Sequence, residues 1–288
     1  MLAIVGATGK IGGATLSSLL SEKIIPANQI LATTISSSSS PKWSSIAEKS
    51  VQVRYATFED PSSMNEAFRG CDRLFLVSSP RIALDYMDAP PGAGREKDHF
   101  VALEAAEKAG VNHIFYTSLA FANASKSNVM TAHERTEERL REMEKHGMKV
   151  TIIREAGDGK ISWTAIADLG RATALIIGAE GDEYVGKTVY LSNSKAPKSL
   201  EEIAKVVSEA KGKDVVLRVG SREEHEKFYI EDRQMDEGHI KWWSHTYAAL
   251  EDGECEIKEG KTLEKLLGSK GRTPKPVEET IREMLAVK

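Results

Sequence analysis

The stretch Leu2-Ala3-Ile4-Val5-Gly6-Ala7-Thr8-Gly9-Lys10-Ile11-Gly12-Gly13 decides the fold. An apolar run ends at a glycine, and a glycine-punctuated loop leads into a segment whose Ile11, Leu16, Leu19 and Leu20 share one helical face. Strand, glycine loop and helix in that order form a holder for a pyrophosphate. Gly6 permits a tight turn, Gly9 lets the backbone approach phosphate, and Gly12 lets helix and strand pack closely. The helix N-terminus adds unpaired N–H groups and a partial positive charge. The spacing is GxxGxxG rather than GxGxxG, and the phosphate loop GxxxxGK[ST] is excluded because Ile11 follows Lys10. The stretch predicts dinucleotide binding.

Downstream the pattern repeats. Strands are expected at 30–34, 51–56, 73–77, 113–118 and 150–154, with helices at 61–69, 96–109 and 132–145. Alternation of this kind implies βαβ units, and so an α/β fold with a doubly wound parallel sheet. After Arg154 the rhythm breaks. Residues 155–160 are too few for the ~10–12 residues of a parallel crossover, so the apolar run 161–166 is expected to follow a tight hairpin about Asp158–Gly159 or a single bent path. A helix at 167–177, a strand at 188–191 and a helix opened by Ser199 with Glu202 in a capping box come next. A strand at 214–219 and amphipathic helices finish the chain. Residues 1–154 read as the cofactor-binding core, and residues 155–288 as a region that partly completes it and forms a small α/β substrate lobe.

At 288 residues the chain is long enough for two domains of ~150 residues, or for one large domain with an appendage. The 39 basic and 43 acidic residues leave a net charge of -4, which gives no case for direct nucleic-acid binding. The first 58 residues carry five bases and two acids, a balance suited to a polyphosphate. No apolar run approaches the ~18 residues of a membrane span, and the N-terminus lacks the basic region of a signal peptide. Cys71 and Cys255 lie far apart without a CxxC, as expected in a reducing, cytoplasmic setting.

At the end of the second strand an acid would accept from the ribose of NAD. Here stand Thr33, Thr34, Ile35 and Ser36, with no carboxylate before Glu48, so NADP(H) is favoured over NAD(H). Hydroxyls of Thr34 or Ser36 are expected to donate to a 2′-phosphate, with Lys42 near. None of the seven tyrosines is followed by lysine four positions on, so the tyrosine–lysine pair of ordinary alcohol dehydrogenases is absent. His133 and Glu137 read as a solvated pair or helix start rather than a metal site. His225, His239 and His245 read as surface histidines, and Trp242, Trp243 and Tyr247 as a core stripe or pocket wall. Two loops, 36–40 and 80–94, emerge at carboxyl ends of strands, and the second is expected to be mobile.

VGATGKIGG at the start, LFLVSSP at 74–80, AGVNHIFYTSLAFA at 109–122, HERTEERLREMEKHGMKVTIIRE at 133–155 and ISWTAIADLGRATALII at 161–177 together resemble the NmrA-like atypical short-chain dehydrogenases. The likeness is greatest to the type-2 NAD(P)H:quinone oxidoreductase branch. It implies a Rossmann-type sheet with a small C-terminal lobe. It also implies pyrophosphate contacts at Gly6, Thr8, Gly9, Lys10, Ile11 and Gly12, and adenosine-ribose contacts at Thr34 and Ser36. Ser78, Ser79 and Pro80 would pass beside the cofactor, while Arg154 and Glu155 would reach towards the nicotinamide. Some members reduce quinones with NADPH, and others report the NADPH/NADP ratio to protein partners. The catalytic residue stays unassigned, because Thr136 stands where some relatives carry lysine. The family has a few tens of residues after the position of Glu155 that this chain lacks, which implies a more open substrate pocket. Two functions follow: an NADPH-dependent reductase acting on a small molecule, or a cofactor sensor acting on a protein.

Overall fold

The computed structural model describes residues 1–36, 40–121, 124–155, 164–193, 198–255 and 261–286. In chain order the elements are β1 (Leu2–Val5), α1 (Lys10–Ser21), β2 (Ile30–Thr34), α2 (Pro41–Ala47), β3 (Gln52–Tyr55), α3 (Pro61–Ala67) and β4 (Arg73–Leu76). There follow α4 (Glu96–Ala109), β5 (His113–Leu119), α5 (Thr131–Lys145), β6 (Lys149–Glu155), α6 (Ile166–Ile177) and β7 (Thr188–Leu191). Among the described residues these strands form one parallel sheet in the order β3-β2-β1-β4-β5-β6-β7. The chain reverses direction across the sheet between β1 and β4, and the crevice at that switch point lies outside the carboxyl ends of the strands.

The sequence explains the layers. β1 and β2 are buried throughout, as strands covered on both faces must be. On one face Leu16 and Leu19 of α1, Leu169 and Ala172 of α6, and Leu263 and Leu267 pack on Ile4, Phe75 and Ile153. On the other, Met64 of α3, Leu103 of α4, and Leu140 and Met143 of α5 pack on Leu74, Ile114 and Ile152. α1 and α6 approach so closely that a Cβ on Gly170 would collide with Ala14. Asp60 caps α3 through the Ser62 N–H, and Gly110 ends α4 at φ +78°, a conformation that costs glycine little.

Beyond β7 come α7 (Leu200–Lys211), α8 (Arg222–Lys227) running into a π-helical turn at Phe228–Asp232, α9 (Glu237–Glu251), α10 (Thr262–Gly268) and α11 (Val277–Ala286). The capping box of Ser199 and Glu202 opens α7 as expected. Residues 214–219 correct the sequence reading, because they form no strand. Val216 and Val219 are 88% and 77% exposed, and no described strand lies beside them. β-branched residues favour a strand only when a neighbouring strand completes the ladder. The C-terminal region is therefore helical among the described residues rather than α/β, while β7 joins the main sheet. The expected hairpin about Asp158–Gly159 lies outside the described residues. Of the apolar run that follows, Ile166 is the first residue of α6.

Candidate functional site at the carboxyl edge

The glycine loop has the geometry its spacing implies. Gly6 lies at φ +85°, and the Gly9 N–H donates to the Gly6 carbonyl at 2.9 Å, closing the turn. A Cβ on Gly12 would strike the same carbonyl, so this position admits glycine only. Gly9 is the N-cap of α1 and contributes no side chain, which leaves the first-turn N–H groups without a side-chain acceptor. Gly6, Thr8, Gly9 and Lys10 are exposed, and Ile11 is half-buried. An open cradle of backbone donors on a helix N-terminus fits an anionic pyrophosphate.

At the end of β2 the two predicted hydroxyls divide their roles. Thr34 is 4% exposed, and its Oγ1 accepts the Ser36 N–H at 3.0 Å. The two hydroxyl oxygens lie 3.1 Å apart, and the Trp43 indole N–H donates to Ser36 Oγ at 3.3 Å. Thr34 therefore shapes the turn, and Ser36 is the exposed hydroxyl.

The carboxyl ends of β4 and β5 are tied to a buried polar network. The Ser79 N–H donates to His99 Nε2 at 2.9 Å, so the ring proton sits on Nδ1 and is donated to Thr136 Oγ1 at 2.7 Å. Thr136 in turn donates to the Ala132 carbonyl at 2.6 Å. The Tyr116 hydroxyl lies 3.0 Å from His133 Nδ1. Burial, reinforced by the Arg95 guanidinium, pushes His99 down to about 3, and it holds His133 well below the usual histidine range. Burial likewise pushes the Tyr116 hydroxyl far up. These groups stay neutral across the physiological range. The Ser79 hydroxyl donates to Asp98 at 2.6 Å, Ser78 is half-buried beside His99, and Pro80 is exposed.

Arg95 is the hub of this region. Its Nε donates to Asp85 at 2.6 Å, its other nitrogens reach Ser78, Ser79 and Val129, and its guanidinium lies 5.7 Å from the Trp242 ring on α9. The loop 80–94, expected to be mobile, is pinned by that pair, by Arg81 on Asp98 and by the Tyr86 hydroxyl on His239 at 2.7 Å. Sequence reasoning missed Arg95, Asp98 and His99. A signal was available, since a run of charged residues opens an otherwise apolar helix directly after a proline–glycine loop.

Of the two readings of His133 and Glu137, the solvated pair fails, since they are 4% and 5% exposed, while His133 does lie in the first turn of α5. Glu137 accepts from Arg154 at 2.6 and 3.0 Å and from the Ser118 hydroxyl at 2.6 Å. Arg154 also donates to the Phe121 carbonyl at 3.0 Å, so its guanidinium is committed to the α5 side of the sheet. Glu155, the next residue, is different. The residue is half-buried, but its Oε1 is buried with no hydrogen-bond partner among the described residues, and burial alone pushes its carboxyl up to about 8. Trp242 is buried against Tyr86 and Arg95, whereas Tyr247 is exposed, and His225, His239 and His245 are half-buried.

Among the described residues no cluster of three or more histidine, cysteine or acidic side chains could hold a metal, and no helix is long and apolar enough to cross a membrane. A cavity of about 420 Å³ between α4 and α5, lined by Phe100, Arg135 and Arg139, shares no residue with the glycine loop or the serines after β4.

A parallel sheet whose switch point faces an open glycine cradle defines a dinucleotide-binding α/β protein. The chain belongs to the NAD(P)H-binding family, whose model matches residues 6–169. It is 30% identical over 241 residues to quinone oxidoreductase 2 of Escherichia coli, covering 76% of this chain and 77% of that protein. Citrobacter sp. triphenylmethane reductase complexed with NADP(H) matches with a TM-score of 0.80 and 27% identity over 98% of this chain and 99% of that one. The NADPH-dependent quinone oxidoreductase of Escherichia coli complexed with NADPH matches with a TM-score of 0.80 and 26% identity over 99% and 100%. The fold is that of an NmrA-like NAD(P)H-binding oxidoreductase related to quinone oxidoreductases.

Proposed function

We propose that the chain binds NADP(H) in preference to NAD(H) and reduces a quinone or another conjugated carbonyl by hydride transfer, as in the type-2 quinone oxidoreductase branch. The carboxyl end of β2 carries this reading. Ser36 offers an exposed hydroxyl there, held by Thr34, and no carboxylate stands beside it, so a 2′-phosphate meets a donor instead of a repelling charge. Relatives complexed with NADP(H) and NADPH, and the likeness to quinone oxidoreductase 2, support it.

Gly6, Thr8, Gly9, Lys10, Ile11 and Gly12 hold the pyrophosphate, and Thr34 fixes Ser36 beside the ribose. Ser78, Ser79 and Pro80 flank the nicotinamide half, where His99 and Asp98 hold the two serines in place. Arg154 anchors β6 to α5 from behind, and Glu155 closes the nicotinamide end. When bound, the reduced nicotinamide supplies the hydride; the protein orients it and excludes water. Residues 1–154 form the cofactor-binding part, 155–288 complete the sheet and shape the substrate side, and the setting is cytosolic.

The test compares melting temperatures with NADPH and with NADH. A ligand at 100 times its Kd stabilises the native state by about 2.7 kcal/mol, so NADPH is expected to give the larger rise, and Ser36→Asp to reverse the order. Equal shifts overturn the cofactor choice. NADPH oxidation with a panel of quinones tests turnover. Tight binding without turnover favours the second reading, a cofactor sensor. In that reading Arg95 links the serines after β4 to Trp242 on α9 and passes cofactor occupancy to the helical C-terminal region.

A further inference from the structure

The carboxyl edge contains an acid that no partner among the described residues explains. Along β6, Val150 and Ile152 pack into the α3–α5 layer and Arg154 turns the same way onto Glu137, while Ile153 packs into the α1–α6 layer. Strand alternation places Glu155 with Ile153, on the face that carries α1 and its glycine loop. At the edge of that face lie Gly6 of the loop and Val77 after β4, so near each other that a Cβ on Gly6 would meet the Val77 Cβ at 3.0 Å. Glu155 is two strands further along the same edge, where the far half of a dinucleotide lying across the switch point would reach. A buried carboxylate normally finds a cation or several N–H donors. The Oε1 of Glu155 has neither among the described residues.

Resting on the reductase reading, we propose that Glu155 is held as a neutral carboxylic acid and donates the proton that completes reduction of the acceptor. A quinone becoming a hydroquinone gains a hydride, which a bound reduced nicotinamide would supply as its C–H bond breaks and an O–H bond forms on one quinone oxygen, and then one proton on the other, anionic oxygen. That proton leaves the Glu155 O–H and forms an O–H bond on the acceptor oxygen. The resulting carboxylate takes up a proton from water before the next turnover, so charge and atoms balance.

The surroundings keep the acid neutral. Its neighbours in register are Leu119 on β5 and Leu191 on β7. Arg154 is paired with Glu137 on the opposite face, Asp168 in the first turn of α6 accepts the Lys275 backbone N–H at 2.6 Å, and Lys10 at the start of α1 is exposed. Burial alone raises the carboxyl to about 8, with no charged neighbour among the causes. An acid protonated at neutral pH and titrating just above it suits general-acid catalysis.

The experiment follows NADPH oxidation by 1,4-naphthoquinone from pH 5.5 to 9.5 in the full-length protein, with the infrared carboxyl band of the cofactor-free protein as a second readout. The wild type is expected to slow about tenfold per pH unit above the Glu155 transition. Glu155→Gln keeps the side chain's shape, and it is expected to lose about 100-fold in kcat together with the alkaline limb. A protonated-carboxyl band at pH 7 in the wild type is expected to vanish in the same variant. If Glu155→Gln stays within twofold of wild type with the same limb, or if the band is absent, this inference is overturned while the reductase reading stands. A wild type that binds NADPH and reduces no quinone overturns the reductase reading, and the proton donor with it.

Discussion

Arg154 and Glu155 are adjacent in the chain and opposite in circumstance. Arg154 faces α5, where Glu137 and the Phe121 carbonyl accept its N–H groups, the Ser118 hydroxyl also donates to Glu137, and Tyr190 lies alongside. Glu155 faces the α1 side with one oxygen unsatisfied. A buried charge with full hydrogen bonding holds structure together. A carboxyl oxygen buried with no partner among the described residues carries a desolvation cost that the fold does not repay, and such a cost is more usual at functional sites. The two faces of one strand thus separate a structural ion pair from a chemical group.

The strongest way to break this contrast is to remove one member of the ion pair. Glu137→Leu leaves the Arg154 guanidinium buried without its carboxylate, and it is expected to cost about 3–5 kcal/mol in urea unfolding. Glu137→Leu combined with Arg154→Met should recover most of the loss, since apolar replacement of a whole buried pair is often neutral. A single variant costing under 1 kcal/mol would remove the distinction. The opposite sign is expected across the strand. At pH 9 Glu155→Leu replaces an unsatisfied acid with apolar surface, and it should stabilise by about 1–3 kcal/mol.

The smallest effect per step is in the pH profile, where the two faces oppose each other. His99 is depressed from 6.5 to about 3, so the stability it contributes is full above pH 6.5 and is lost as pH falls towards about 3. Glu155 is raised from 4.5 to about 8, so its contribution is full below pH 4.5 and is lost as pH rises towards about 8. Each group sets a slope of about 1.4 kcal/mol per pH unit within its window. Between pH 6.5 and 8 only Glu155 of these two acts, and Glu155→Gln should flatten that stretch of the unfolding curve. An unchanged slope in the variant would show that another group sets it.

How much of this was legible in sequence follows from how local each feature is. The glycine loop was readable because its turn, close approach and helix start involve residues within one short stretch. The βαβ alternation was readable for the same reason, since apolar period and capping act over a few residues. The network around His99 was not, because Arg95, Asp98 and His99 look like the charged opening of a surface helix until the sheet places Ser78 and Ser79 beside them. Arg154 could be placed at a strand end from sequence, but the direction of its side chain depends on α5 supplying Glu137. Residues 214–219 misled because a strand-forming composition becomes a strand only when the tertiary fold brings it a partner.

The close contact of α6 with α1 has a consequence for how this architecture can vary. α6 is located by Gly170 against Ala14, by its apolar face on the sheet, and by Thr164 just before it, whose hydroxyl donates to the Leu191 carbonyl at the end of β7. With α6 and Thr164 anchored in this way, the join between Glu155 and Thr164 can lengthen or shorten over generations without moving β7 or disturbing the glycine loop. Because Glu155, the last residue of β6, stands at the carboxyl edge beside the ligand crevice, such changes would act on which molecules enter. A lineage could thus explore new acceptors by insertion and deletion at this join while inheriting its cofactor grip intact.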